Sequence, residues 1–147
     1  MYKNAQLANA GEIDMISRKV LVWINTFPDA PVALINYENL PADQEGMALS
    51  TIQSGYITKR YITGGYRGEY QFKVIYRIKP GNSNDKRLKA DELLNMLGDW
   101  ARAEKPDIGE GFVSLKVEPT TRSSLFAAYD NGDEDHQILM KLTYEVI

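Results

Sequence analysis

Tyr70-Gln71-Phe72-Lys73-Val74-Ile75-Tyr76-Arg77-Ile78 decides the fold class. Tyr70, Phe72, Val74, Tyr76 and Ile78 alternate with Gln71, Lys73, Ile75 and Arg77, so an extended strand has one apolar face and one mostly wet face. A strand wet on one side belongs in an antiparallel sheet, and its apolar side needs a covering layer. Pro80-Gly81-Asn82-Ser83-Asn84 ends the run. Upstream, the strand closes a β-rich block at 47–78, broken by Ser54-Gly55 and Gly64-Gly65.

The covering layer is legible on both sides of this block. Ile13, Ile16, Val20, Trp23, Ile24 and Phe27 recur at spacings of three and four, which predicts an amphipathic helix over 12–27, stopped by Pro28. Ala90, Leu93, Leu94, Leu97, Trp100 and Ala101 do the same over 85–104. There Ser83 or Asn84 serves as the cap, Asp85 suits the positive helix end, and Lys105-Pro106 closes the element. The run 31–37 reads as a strand and 39–46, with Pro41, as a loop. Strands follow at 112–118, 122–129 and 137–147, the last two joined by hairpin chemistry at Asp130-Asn131-Gly132-Asp133. The expected architecture is a single α+β domain over 1–147. A mainly antiparallel twisted sheet packs against two amphipathic helices, in the order α, several β, α, β, β, β.

Composition narrows the function classes. A chain of 147 residues, 44% apolar and 25% charged, suits one globular unit. No apolar run is long enough for a bilayer span, and the first residues lack the apolar stretch of a signal peptide. The absence of cysteine removes disulfides and thiolate chemistry, and one histidine, His136, leaves no imidazole pair for a zinc site. The expectation is therefore no cofactor and no metal. A net charge of −3 gives no general attraction to nucleic acid, and the pair Lys59-Arg60 divides between two faces if extended.

The chemical candidates are weak. Asp130, Asp133, Glu134 and Asp135 beside His136 suggest cation binding, but an EF-hand loop begun at Asp130 would place Asp135 at its glycine position and Lys141 at its glutamate position. The run reads as a solvated hairpin tip. Thr63-Gly64-Gly65-Tyr66-Arg67-Gly68 leads into a strand rather than a helix, so it is a turn rather than a phosphate cradle. Gly109-Glu110-Gly111 likewise precedes a strand. Ser123 and Ser124 have no nucleophile elbow around them. No catalytic residue is expected.

The tyrosines carry more information. Tyr56, Tyr61, Tyr66, Tyr70 and Tyr76 crowd the middle block, and tyrosine is enriched at protein interfaces. One sheet and two helices do not readily cover them all. The glycine-flanked hairpin makes Tyr61, Tyr66 and Arg67 the candidate oligomer-interface residues.

Four segments carry a resemblance: Gly65-Tyr66-Arg67-Gly68-Glu69-Tyr70-Gln71-Phe72, then Ala90-Asp91-Glu92-Leu93-Leu94 through Gly98-Asp99-Trp100, then Pro119-Thr120-Thr121-Arg122-Ser123-Ser124-Leu125-Phe126, then Leu142-Thr143-Tyr144-Glu145-Val146. In these the chain resembles minor capsid proteins of tailed bacteriophages, the Gram-positive siphoviruses. The order of elements is similar to that of tail-terminator and head-to-tail joining proteins. The resemblance implies a virion or prophage component, made in the bacterial host cytoplasm. It would form a ring-like homo-oligomer, six-fold or similar, that contacts phage tail-tube and neck proteins. It supplies no catalytic residues. A monomeric cytoplasmic module that binds a peptide or small ligand in the sheet–helix groove is the alternative.

Overall fold

The computed structural model describes residues 6–147. Its elements are β1 (Gln6–Leu7), α1 (Ala10–Ile24), β2 (Ile35–Tyr37), β3 (Gly46–Arg60), β4 (Tyr66–Ile78), α2 (Asn84–Ala103), β5 (Phe112–Pro119), β6 (Ser124–Ala128) and β7 (Glu134–Val146). One seven-stranded sheet runs β1-β3-β4-β7-β5, with β2 also beside β3 and β6 also beside β7. Every pairing is antiparallel except that of β2 with β3. The fold is the α+β arrangement that the periodicities predict.

The alternation seen in the sequence becomes two faces. β4 and β7 pair without a register shift from Tyr66 opposite Val146 to Ile78 opposite Glu134. Phe72 therefore lies beside Met140, Val74 beside Ile138 and Tyr70 beside Leu142, all buried on the helix side. Both helices lie on this side. Ile16, Val20 and Ile24 of α1 share one core with Leu94, Leu97 and Ala101 of α2. The helices meet through Trp23 and Trp100, stacked with ring centroids 5.0 Å apart, and Phe27 tilts against Trp100 at 5.4 Å. The Trp23 indole also donates to the Glu104 carbonyl at the end of α2. The other sheet face carries Lys73, Arg77 and Lys141 and, among the described residues, has no helix over it.

Local chemistry sets the ends of the elements. Asn9 caps α1 by accepting from the amides of Gly11 and Glu12, so the helix begins two residues before the expected start. It ends at Ile24 because the Asn25 side chain turns to bond the Leu21 carbonyl and both backbone groups of Ile35. That anchor also explains why the strand expected over 31–37 is extended only from Ile35. Ser83 caps α2 by accepting from Lys86 N at 3.2 Å.

The hairpins are looser than an Asn-Gly two-residue turn. Tyr129 and Asp133 close the β6–β7 loop, and only Gly132, at φ 95°, is left-handed. The β3–β4 loop repeats this arrangement, with Tyr61 N bonded to Gly65 O and Gly64 at φ 99°. Both match the three-residue hairpin with glycine at the left-handed position.

Gly68 is fixed by packing. A Cβ on Gly68 would stand 2.5 Å from the Tyr144 ring, which crosses β4 to reach α1. Gly68→Ala is expected to cost about 2 kcal/mol through this overpacking. Trp100→Ala, which removes the inter-helix stack, is expected to cost about 3 kcal/mol. Denaturant melts check both, and a loss below about 1 kcal/mol would contradict the packing described.

Candidate self-association surfaces and buried polar clusters

The residues named from sequence divide between the two sheet faces. Tyr66 points to the helix side, where its hydroxyl donates to Glu12 of α1, and Tyr144 donates to the other Glu12 oxygen at 2.8 Å. Burial, then the hydrogen bond to Glu12, pushes the Tyr66 phenol up to about 12 and raises that of Tyr144 further. Tyr66 is thus tied within the subunit. Arg67 lies on the open face opposite Glu145, with its Nε buried and without a hydrogen-bond partner. Tyr61 joins that face, and a hydrogen bond to Glu145 raises its pKa. Lys59 lies over the Tyr61 ring and Arg60 over the Tyr66 ring, so the basic pair is divided between faces as its alternation implies.

What projects is Ile62, fully exposed between Tyr61 and Thr63. At the same strand end stand Ile147 and Val113, also exposed, because Ile147 N bonds Gly111 O beside the start of β5. Val113 and Ile147, with Tyr61, Thr63, Gly65, Glu145 and Val146, line a shallow hollow of about 280 Å³, and Ile62 follows Tyr61 in the chain outside that lining. A second apolar surface lies on the α1–β2 side. There Asp14, Ser17, Arg18, Leu21 and Tyr37 line a groove of about 320 Å³, with Val22 of α1 and Leu34, just before β2, also exposed. Composition hid Ile62 and Ile147, because a lone isoleucine beside glycines or at a strand end reads equally well as core.

The acidic run is a solvated hairpin tip only at Asp130, which is exposed with Asn131 and Gly132. Asp133, Glu134, Asp135 and His136 are all buried. Asp133 accepts from Asp43 N at 2.9 Å and from Asn131. Glu134 is gripped by Arg87 at 2.8 Å, and Asp135 receives two bonds from Arg77 and one from Tyr129. Arg77 also holds the carbonyls of Leu40 and Pro41, while Lys79 reaches Asp43 at 2.5 Å. The acids are consumed in fixing the 39–46 loop and α2 to the strand ends. The alternation of Arg77 and Lys79 with apolar neighbours was the available signal, but their partners lie 36 to 58 residues away. Among the described residues no three histidine, aspartate or glutamate side chains converge to hold a metal ion.

His136 and Ser123 do come together, through Asp91. His136 Nδ1 lies 2.9 Å from Asp91 Oδ1, and Ser123 Oγ donates to the same oxygen at 2.7 Å. A hydrolytic triad needs the imidazole between serine and carboxylate. Here the carboxylate is in the middle, and His136 Nε2 is buried 3.5 Å from Glu134. The group pins α2 to β6 and β7 and offers no activated hydroxyl.

No family model matches the chain, and no curated protein matches it. A solved structure whose name describes no function is similar over 95% of this chain and 96% of its own length, at 20% identity. Its TM-score of 0.43 is too low to carry an argument. Among the described residues no helix is long and apolar enough to cross a membrane.

The carboxylate clamps predict a pH dependence. The Asp43 amide holds the Asp133 carboxyl below its ordinary range, and Arg87 does the same for Glu134. A depressed folded pKa contributes stability that is complete above the unfolded value of about 4 and is lost as pH falls through the folded value. Stability measured by denaturant melts is expected to fall between about pH 4 and pH 2. In Asp133→Asn the slope over that window is expected to be shallower. An unchanged slope would contradict the role given to Asp133.

Proposed function

We propose that this chain is a structural subunit that works by self-association, a tail-terminator-like or neck-ring component of a tailed phage or prophage particle. The observation that carries this reading is an apolar strand end, exposed among the described residues, where Val113 and Ile147 line a hollow with Tyr61 and the next residue, Ile62, is fully exposed. Exposed apolar residues gathered at one place mark contact surfaces. The α1–β2 groove is a different apolar surface of the same subunit, with Leu21 and Tyr37 in its wall. A closed ring needs two unlike surfaces that meet head to tail, and this pair supplies them. The sequence resemblance to siphovirus minor capsid proteins supplies the biological setting. The tie of Tyr66 to Glu12 moves the contact from Tyr66 to its neighbours Tyr61 and Ile62.

Ile62→Glu tests the reading, because a fully exposed side chain can be exchanged without disturbing the core. The wild-type chain is expected to show mass rising with concentration in sedimentation and to be present in released phage particles. The variant is expected to melt normally, remain smaller at the same concentration and be absent from particles. A wild-type chain that stays monomeric at millimolar concentration and is absent from particles would overturn the proposal.

A further inference from the structure

The two rims of the sheet are finished differently. On the β3 side the backbone is stoppered by side chains. Glu38, at φ 58°, gives its amide to Leu49 O, and its carboxylate takes Thr51 N at 2.8 Å and Ser50 Oγ at 3.0 Å. Asn25 does the same for β2, bonding Ile35 N at 2.8 Å and Ile35 O at 3.1 Å. Natural sheets blunt their edges in this way against unwanted pairing.

The β6 rim carries an irregularity between Leu125 and Ala127 but, among the described residues, no such side-chain stopper. Ser123 N is taken by Asn95 just before the strand, and Tyr129 N by Asp133 just after it. Between them, among the described residues, Ser124–Ala128 pairs only with β7 on its inner side. The strand also exposes Leu125 at 50% and Phe126 at 45%. An open backbone rim with neighbouring apolar side chains is the surface that accepts an added strand.

The charges on this segment say which strand fits. Over 120–130 the only charged residues are Arg122 at one end and Asp130 at the other. Neither makes an ion pair within the subunit among the described residues. Antiparallel pairing of two such strands lays Arg122 of one beside Asp130 of the other, twice, with no like charges opposed. Parallel pairing would oppose like with like, which is unfavourable. The short side chains of Ser123, Ser124, Ala127 and Ala128 leave room for close approach.

We propose that β6 is a two-fold self-pairing edge, at which a second copy of this chain adds its own β6 antiparallel to join two sheets into one. A two-fold contact is isologous, so it is distinct from the head-to-tail contact at Ile62 and does not depend on it. The two contacts together would join rings in pairs.

The test is made in the Ile62→Glu background, which removes the head-to-tail contact and leaves β6 intact. Sedimentation of this chain up to millimolar concentration is expected to show a dimer. Arg122→Asp or Asp130→Arg alone is expected to weaken it about tenfold, because each places like charges opposite one another at both ends. The two exchanged together are expected to restore it. Leu125→Lys is expected to abolish the dimer while leaving the melt unchanged. A chain that stays monomeric in this background, or a dimer indifferent to these charges, overturns the proposal. Either result leaves the Ile62 contact to stand or fall on the wild-type chain.

Discussion

The unbroken register between β4 and β7 is the constraint on which the rest of the molecule depends. A slip of one residue would turn one strand over relative to the other, replacing either Phe72 and Val74 by Lys73 and Ile75, or Met140 and Ile138 by Lys141 and Leu139, on the helix side. Both helices would then lose the surface they cover, and Trp23 and Trp100 would lose the floor under their stack. The register is held at one end by Gly68, which leaves space for the Tyr144 ring, and by the shared hydrogen bonds of Tyr144 and Tyr66 to Glu12. At the other end it is held by Arg77 on Asp135, directly across the strands. Apolar burial makes the sheet cohere, and these polar contacts fix its alignment.

The two strand ends have opposite characters as a result. Around Arg77, Lys79 and Arg87 the buried carboxylates of β7 tie down the 39–46 loop and α2, so that end is closed by the subunit itself. Removing one partner of such a buried pair leaves an uncompensated charge, so breaking a lock is costly even though desolvation offsets much of the pair's own attraction. Around Ile62, Val113 and Ile147 there is no comparable closure among the described residues. The same asymmetry recurs laterally, where Glu38 and Asn25 stopper one rim and β6 is left open. The Ile62 end lies at the opposite end of the strands from these polar locks, whereas β6 pairs directly with the segment of β7 that carries Glu134, Asp135 and His136.

Much of the fold was legible in the sequence because periodicity reports burial directly. The alternation over 70–78 and the helical stripes through Ile16, Val20, Leu94 and Leu97 describe the faces found in the structure. What was not legible depends on distant partners. Asp133, Glu134 and Asp135 read as a wet turn, yet Asp43, Arg87 and Arg77 bury them, and no local pattern announces those pairings. Asn9 and Asn25 moved both boundaries of α1 through bonds that a hydrophobic stripe does not register. Tyr66 was a sound interface candidate by composition, but Glu12, 54 residues earlier, claims its hydroxyl. The proposed phage setting rests on sequence resemblance alone, and the proposed self-association rests on surface geometry. The two are separable.

The most direct measurement is amide hydrogen exchange on the wild-type chain at dilute and at millimolar concentration, resolved by segment. If the molecule works by assembling with copies of itself, exchange slows with concentration in the 61–65 hairpin and in 124–128. The already protected amides of 70–78 remain unchanged. Exchange that is the same at both concentrations in every segment would contradict the account.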